Sequence, residues 1–143
     1  MTTWIVVTTL LLLTSVMTNT AYAKDFATPE EAVESYITAV KTGSGEHITM
    51  AFAQGATIKY YDQDAKFQNF VRDDFAKLVN TGNAWDAEIK ITNMLRTENA
   101  ANATVEFKWG EKGEHGYVDY LNLLYDGKSW HIMSKVAQYI SRK

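Results

Sequence analysis

The hydrophobic pattern changes period part-way along the chain, and the change separates two kinds of structure. Early on, Val33, Tyr36, Ile37 and Val40 recur on one face of a helical repeat. The start of that helix is fully specified: Thr28 caps it, Pro29 suits the first helical position, and Glu31 completes a capping box. Gly43 ends it. A second, shorter helix is predicted over residues 46–52, burying Ile48, Ala51 and Phe52. Residues 56–61 read as a strand, 62–64 as a turn, and 66–68 as a short strand leading into a third helix over 72–79. The stripe predicted to bury that helix is Val71, Phe75, Leu78 and Val79.

From Trp85 onward the period is 2. Trp85, Ala87, Ile89 and Ile91 alternate with Asp86, Glu88, Lys90 and Thr92, and Ala103, Val105, Phe107 and Trp109 alternate with Thr104, Glu106 and Lys108. Polar turns at residues 98–101 and 110–116 separate these strands. The last third holds two runs rich in β-branched and aromatic residues around Asp126-Gly127, a dipeptide that accepts the positive φ of a tight hairpin turn. Helices first and an antiparallel meander afterwards predict an α+β domain, with helices gathered on one side of a curved sheet.

The register of that last hairpin matters because a polar residue, Asp119, lies early in its first strand and a cation, Lys135, late in its second. If Asp126-Gly127 alone form the loop, Asp119 faces Ser134 and Lys135 points to the opposite side of the sheet. If Tyr125 joins the loop, Asp119 shares a face with Met133 and Lys135. The pattern leaves both registers open.

Composition narrows the function. The 143 residues carry a net charge of −3 with no basic run, so nucleic-acid binding has no electrostatic support. Three scattered histidines and no cysteine give no metal-ligand spacing, and there is no glycine-rich phosphate loop, so neither metal nor cofactor is expected. Ser129 and Ser134 lack a nucleophile elbow, and no histidine shows a nucleophile partner. The apolar run from Trp4 to Val16, followed by Ala21-Tyr22-Ala23, reads as a secretory signal peptide over residues 1–23. It is too short and too rich in threonine for a membrane span. Residues 24–143 are then expected to be one domain, periplasmic or secreted, with no membrane contact after cleavage.

The order of elements, with the Asp-Gly hairpin last, resembles the nuclear transport factor 2-like superfamily of conical α+β folds. Within it the chain looks most like the branch named putative lumazine-binding, through Ala51-Phe52-Ala53, Ala84-Trp85-Asp86-Ala87, Val118-Asp119-Tyr120-Leu121 and residues 126–136. The resemblance implies a pocket and, by the branch name, a lumazine-like ligand. It also extends distantly to polyketide cyclase-like proteins and to ketosteroid isomerases, whose first helix Thr28-Pro29-Glu30 to Gly43 resembles. By that resemblance Tyr36 and Asp119 take the places of a tyrosine and a protonated acid that hold a substrate oxyanion. The general-base aspartate of those enzymes falls near Tyr60, which cannot play that part.

Each candidate has a plain alternative. Asp119 either ends a strand in solvent or sits in the pocket, where desolvation favours its neutral form and a nearby Lys135 opposes that. Tyr36 either packs in the core or points at a ligand, and Trp85, Trp109 and Trp130 either line a cavity or fill it. Tyr60 and Tyr61 are adjacent on one strand, so one faces inward. The expected function is binding of a small hydrophobic or aromatic molecule by Tyr36, Tyr60, Trp85, Trp109, Asp119 and Lys135, without catalysis. Two other readings stand beside it. One is an isomerase, dehydratase or cyclase using Tyr36 and Asp119, with Asp62 or His47 as base. The other is an interaction module that dimerises through the sheet.

Overall fold

The computed structural model describes residues 24–142, and the signal peptide expected over residues 1–23 lies outside them. Three helices, α1 (Pro29–Thr42), α2 (Gly45–Ala51) and α3 (Arg72–Val79), pack against a six-stranded sheet. Its strands are β1 (Phe52–Tyr61), β2 (Phe67–Val71), β3 (Glu88–Thr97), β4 (Ala100–Trp109), β5 (His115–Tyr125) and β6 (Trp130–Ser141). The spatial order is β2-β1-β6-β5-β4-β3, with β1 parallel to β6 and every other neighbour antiparallel. This is the predicted α+β architecture.

The first helix forms as its sequence specifies. Thr28 Oγ1 accepts from the Glu31 N–H, and Glu31 Oε2 accepts from the N–H groups of Thr28 and Ala27, so three backbone donors at the helix start are satisfied. Gly43 closes it at φ 67°, and a Cβ there would lie 2.5 Å from Thr81 Oγ1. Both the left-handed backbone and the close approach of the 80–87 segment therefore require glycine.

Several expected boundaries shift, each for a local reason. Phe52 leaves the second helix and opens β1, its N–H capping that helix on Ile48 O. Strand β2 runs to Val71, so Val71 belongs to the sheet's outer side and is exposed. Leu78 is exposed as well, because α3 buries Phe75 and Ala76 against the sheet. Trp85 to Ala87 do not extend β3. The free carbonyls at the end of α1 capture that segment instead: Gly82 N–H donates to Gly43 O and Trp85 N–H to Lys41 O, both at 2.9 Å.

Register shifts occur in the β5–β6, β3–β4 and β1–β6 pairings. Bulges of this kind bend strands and increase local twist, which suits a sheet wrapped around a core. The core lies in the concavity, where Val33, Tyr36, Ile37 and Ile48 meet Phe52, Ile58, Val105, Leu121, Leu123 and Ile132.

Candidate functional site

The hairpin settles how Asp119 and Lys135 meet, and it does so by neither expected loop. Its loop holds four residues, 126–129, between the paired Tyr125 and Trp130. Asp126 Oδ1 accepts from the Lys128 and Ser129 N–H groups, and Gly127 adopts φ 96°. From Trp130 to Ile132 the register would turn Lys135 outward. A bulge at Met133–Ser134 then inserts one residue, pairing Leu121 with Lys135 and Asp119 with Ala137. Both charged side chains therefore face the concavity, as the second register expected for Lys135, whereas Met133, expected on the same face, is the inserted residue and is exposed. Asp119 is 0 % exposed and Lys135 7 %.

These residues form a compact polar unit in an apolar setting. The Tyr36 hydroxyl, carried in from α1, donates to Asp119 Oδ2 at 2.5 Å. Lys135 Nζ lies 3.1 Å from the same oxygen. Asp119 Oδ1 is buried with no hydrogen-bond partner among the described residues. The ammonium sits 5.1 Å from the ring centroids of Tyr60 and Phe75 and 5.5 Å from that of Tyr36, within cation–π range of all three. Burial pushes the Asp119 carboxyl above its ordinary range, and the Lys135 charge and Tyr36 hydroxyl only partly offset it. Tyr36 is raised well above its ordinary value, first by burial and then by the Asp119 charge. Burial also lifts the Tyr60 hydroxyl and pushes that of Tyr117 up to about 12.

Beside this unit opens a cavity of about 150 Å³. Tyr36, Tyr60, Trp85, Asp119 and Lys135 all line it, together with Val40, Phe75, Val79, Phe107 and Tyr117. Tyr60 faces inward and Tyr61 outward. Trp85 lies stacked on Phe107 at 5.9 Å, held there by its backbone bond to α1. Trp109 does not line the cavity; it stands behind Trp85, edge to face at 5.0 Å, and stacks on Tyr117 and His115. Trp130 lies at the far end of the core, where the Arg96 guanidinium covers it at 4.9 Å. Tyr117 was not singled out from sequence, although it stands two residues before Asp119 and so shares its face.

Neither residue considered as a base reaches the cavity. Asp62 is engaged in its own turn, accepting from the Lys66 and Asp64 N–H groups and the Gln68 side chain, and these bonds, the Lys66 one foremost, lower its pKa. His47 lines a separate groove beside Glu30, Glu31 and Glu34. It has a partner the sequence did not reveal: Nδ1 lies 3.2 Å from Ser35 Oγ, brought near by the turn between α1 and α2. Among the described residues lining the cavity, Asp119 is the only carboxylate and no histidine is present. The arrangement also differs from two donors pointing side by side at a substrate, since the Tyr36 proton is directed to Asp119 itself.

The sequence profile of the family described as Putative lumazine-binding matches residues 24–138. The chain belongs to that family. No functionally curated protein matches it. Among solved structures, an NTF2-like protein of unknown function from Shewanella baltica OS155 is 20 % identical, with a TM-score of 0.67 over 80 % of this chain and 92 % of that one. A second NTF2-like protein, from Methylobacillus flagellatus KT, is 28 % identical with a TM-score of 0.66, over 79 % and 90 % of the two chains. A ketosteroid isomerase-like protein from Erwinia carotovora atroseptica SCRI1043 is 14 % identical with a TM-score of 0.63, over 82 % and 97 %. The nuclear transport factor 2-like fold of this family member is thereby established, and the family description points to a small ligand. No helix among the described residues is long and apolar enough to cross a membrane.

Proposed function

We propose that the domain binds a small, flat, largely apolar molecule in the cavity beside Tyr36, Asp119 and Lys135, without transforming it. The observation that carries this reading is the cavity itself: an aromatic hollow with one buried polar unit at its wall. Ligand sites combine apolar walls with a few placed polar groups in this way. Size constrains the ligand. About 150 Å³ is the volume of an engineered cavity that accepts benzene, so one ring fits inside and a second would project past Trp85. A bicyclic heteroaromatic such as lumazine, which the family description names, would bind in that half-inserted manner. Asp62 and His47, the two residues considered as a base, both lie away from the cavity, and Asp119 there is already engaged by Tyr36 and Lys135, which favours binding over isomerase, dehydratase or cyclase chemistry.

Titrating the domain with benzamide, benzoate and lumazine while following tryptophan fluorescence and binding heat tests this reading. A saturable change with at least one of them is expected, with the fluorescence part lost in Trp85→Phe. Val40→Phe, which fills the hollow, should weaken binding at least tenfold while leaving the fold intact. Binding that survives Val40→Phe unchanged would place the ligand elsewhere.

The domain is further proposed to act after export, with residues 1–23 removed. A mature chain whose mass begins at Lys24 in the periplasm or medium would support this, and a retained N-terminus would reject it. A second reading, a homodimer formed through the sheet, is favoured by a specific outer-face feature. Tyr120 and Val136 are cross-strand partners on β5 and β6 and are 51 % and 54 % exposed. Tyr61, Phe67 and Leu124 are exposed too.

A further inference from the structure

The charges that face the cavity say what kind of ligand it takes. Among the described lining residues there are two, Asp119 and Lys135, in contact with one another. With both ionised the unit is neutral overall, and an anion entering beside it would leave an uncompensated negative charge in an apolar enclosure. That is costly, and a buried group relieves such a cost by changing protonation. The relief is built into the carboxylate. Both donors, the Tyr36 hydroxyl and the Lys135 ammonium, converge on Oδ2, while Oδ1 is buried and unpartnered. A proton can therefore settle on Oδ1 without breaking either contact. Once it does, Lys135 is a buried cation without a counter-charge, its ammonium enclosed by the rings of Tyr36, Tyr60 and Phe75 with donors to spare for an anion.

We propose that the site binds small aromatic acids, a carboxylate or ionised enol on one ring, and takes up one proton on Asp119 Oδ1 as the anionic group settles on Lys135. This rests on the binding reading above and names its ligand class. The balance is simple: one anion and one proton enter, no covalent bond forms in the ligand, and the enclosed charge returns to zero. The surrounding groups leave Asp119 as the acceptor. Tyr36 from α1 already donates to it, and Tyr60 from β1 and Tyr117 on β5 have raised pKa values and stay protonated at neutral pH. On β4 the facing residues are Val105 and Phe107, and on α3 Phe75 and Val79, none of which titrates. Asp62, at the end of β1, acts on Tyr60 through space and is held in its own turn. His115 lies on the same face of β5, bonded to Tyr139, and its protons are separated by a His115→Gln control.

The test is isothermal titration of the mature wild-type domain with benzoate, in two buffers of different ionisation enthalpy, between pH 6 and 8. One proton taken up per benzoate is expected, retained in His115→Gln, with affinity falling about tenfold per pH unit above the Asp119 pKa. Benzamide, the neutral counterpart, should bind with no proton exchange. In Asp119→Asn, benzoate uptake of protons should vanish. Benzoate that binds wild type with no proton exchange and no pH dependence overturns the proposal while leaving the pocket reading standing. Benzamide binding without any benzoate binding does the same. Failure of both probes, and of lumazine, sinks the pocket reading and this proposal with it. No step depends on the variant's folding, since the wild-type proton count decides.

Discussion

The two ends of the core use the same kind of residue and reach opposite results. At the hairpin end, Trp130 is 1 % exposed, packs on Tyr125 at 5.7 Å and is covered by Arg96. The segment before α1 is strapped over it. Phe26 N–H donates to Ser129 Oγ at 2.8 Å, Trp130 N–H donates to Phe26 O at 3.0 Å, and the Phe26 side chain is buried. At the other end, Trp85, Tyr60 and Tyr117 stand around a hollow, and the two charged side chains buried among the described residues, Asp119 and Lys135, sit in its wall. Aromatic content alone therefore does not distinguish a filled core from a pocket. The difference lies in what the tied segment covers, since the stretch before α1 closes over Trp130 while residues 80–87 leave Trp85 beside the hollow, and in whether a charged pair is buried in the wall. The hairpin end is arranged for stability, and the cavity end accepts a cost in it.

Truncating the matching tryptophans should separate the ends most widely. Trp130→Ala is expected to lower unfolding free energy by about 3–5 kcal/mol, through lost burial and a residual cavity. Trp85→Ala, at a half-buried site already beside empty space, should cost about 1 kcal/mol. Urea denaturation of both variants measures the gap, and equal losses would remove the distinction between the two ends.

The polar unit gives the next effect in size. Asp119→Ala leaves the Lys135 ammonium buried among rings without its partner, and about 3 kcal/mol of destabilisation is expected. Removing both charges, in Asp119→Leu with Lys135→Met, should recover most or all of that loss, because a buried ion pair is often no more stable than apolar residues of similar volume. If the double variant is as unstable as the single, the cavity end depends on its charges for folding, and the contrast drawn above is wrong.

How much of this was legible from sequence depends on whether the deciding force was local. The first helix was readable to the residue because its cap, its proline and its terminal glycine are all local devices. Tyr36, Tyr60, Trp85, Asp119 and Lys135, named from sequence as candidate ligand contacts, all line the cavity; helical periodicity and the superfamily resemblance mark Tyr36, while the pattern leaves the side taken by Lys135 open. The meeting of Asp119 with Lys135 could not be read, because it hangs on one extra residue at Met133–Ser134. Nothing in those two side chains announces a bulge; it is set by how β6 fits β5 on one side and β1 on the other. The same holds for Trp85. Its alternation with Asp86 and Glu88 suits a strand, but the carbonyls ending α1 compete for its N–H and win. Ser35 and His47 were likewise invisible as a pair, since a change of helix direction after Gly43 brings them together.

Acidity offers a finer probe of the cavity end. The folded pKa of Asp119 lies above its ordinary 3.8, so the carboxyl contributes most to stability when protonated. That contribution is complete below the unfolded value and is lost as pH rises through the folded one. Relative to Asp119→Asn, wild type should therefore lose stability on raising the pH from about 3.8, by up to about 1.4 kcal/mol per unit until the folded pKa is passed. Denaturation midpoints of the two proteins at intervals between pH 3 and 8 would show it. A difference that instead grows in favour of wild type as pH rises would mean that Lys135 and Tyr36 outweigh burial.

The smallest expected effect on folding lies at neither end but on the outer face, where Val136 stands opposite Tyr120 in solvent. Val136→Lys removes apolar surface that the single chain does not bury, so its unfolding free energy should change by no more than about 0.5 kcal/mol. The strand remains paired on both sides, and lysine is tolerated on an exposed sheet face. If two copies associate through this face, however, each substituted Val136 places an ammonium inside the interface, and the effect moves from folding to assembly. Light scattering over a range of protein concentrations should then report a dimer for wild type and a monomer for the variant. Wild type that is already monomeric throughout assigns this exposed pair no role in self-association. A dimer that withstands the lysine locates the interface elsewhere on the molecule.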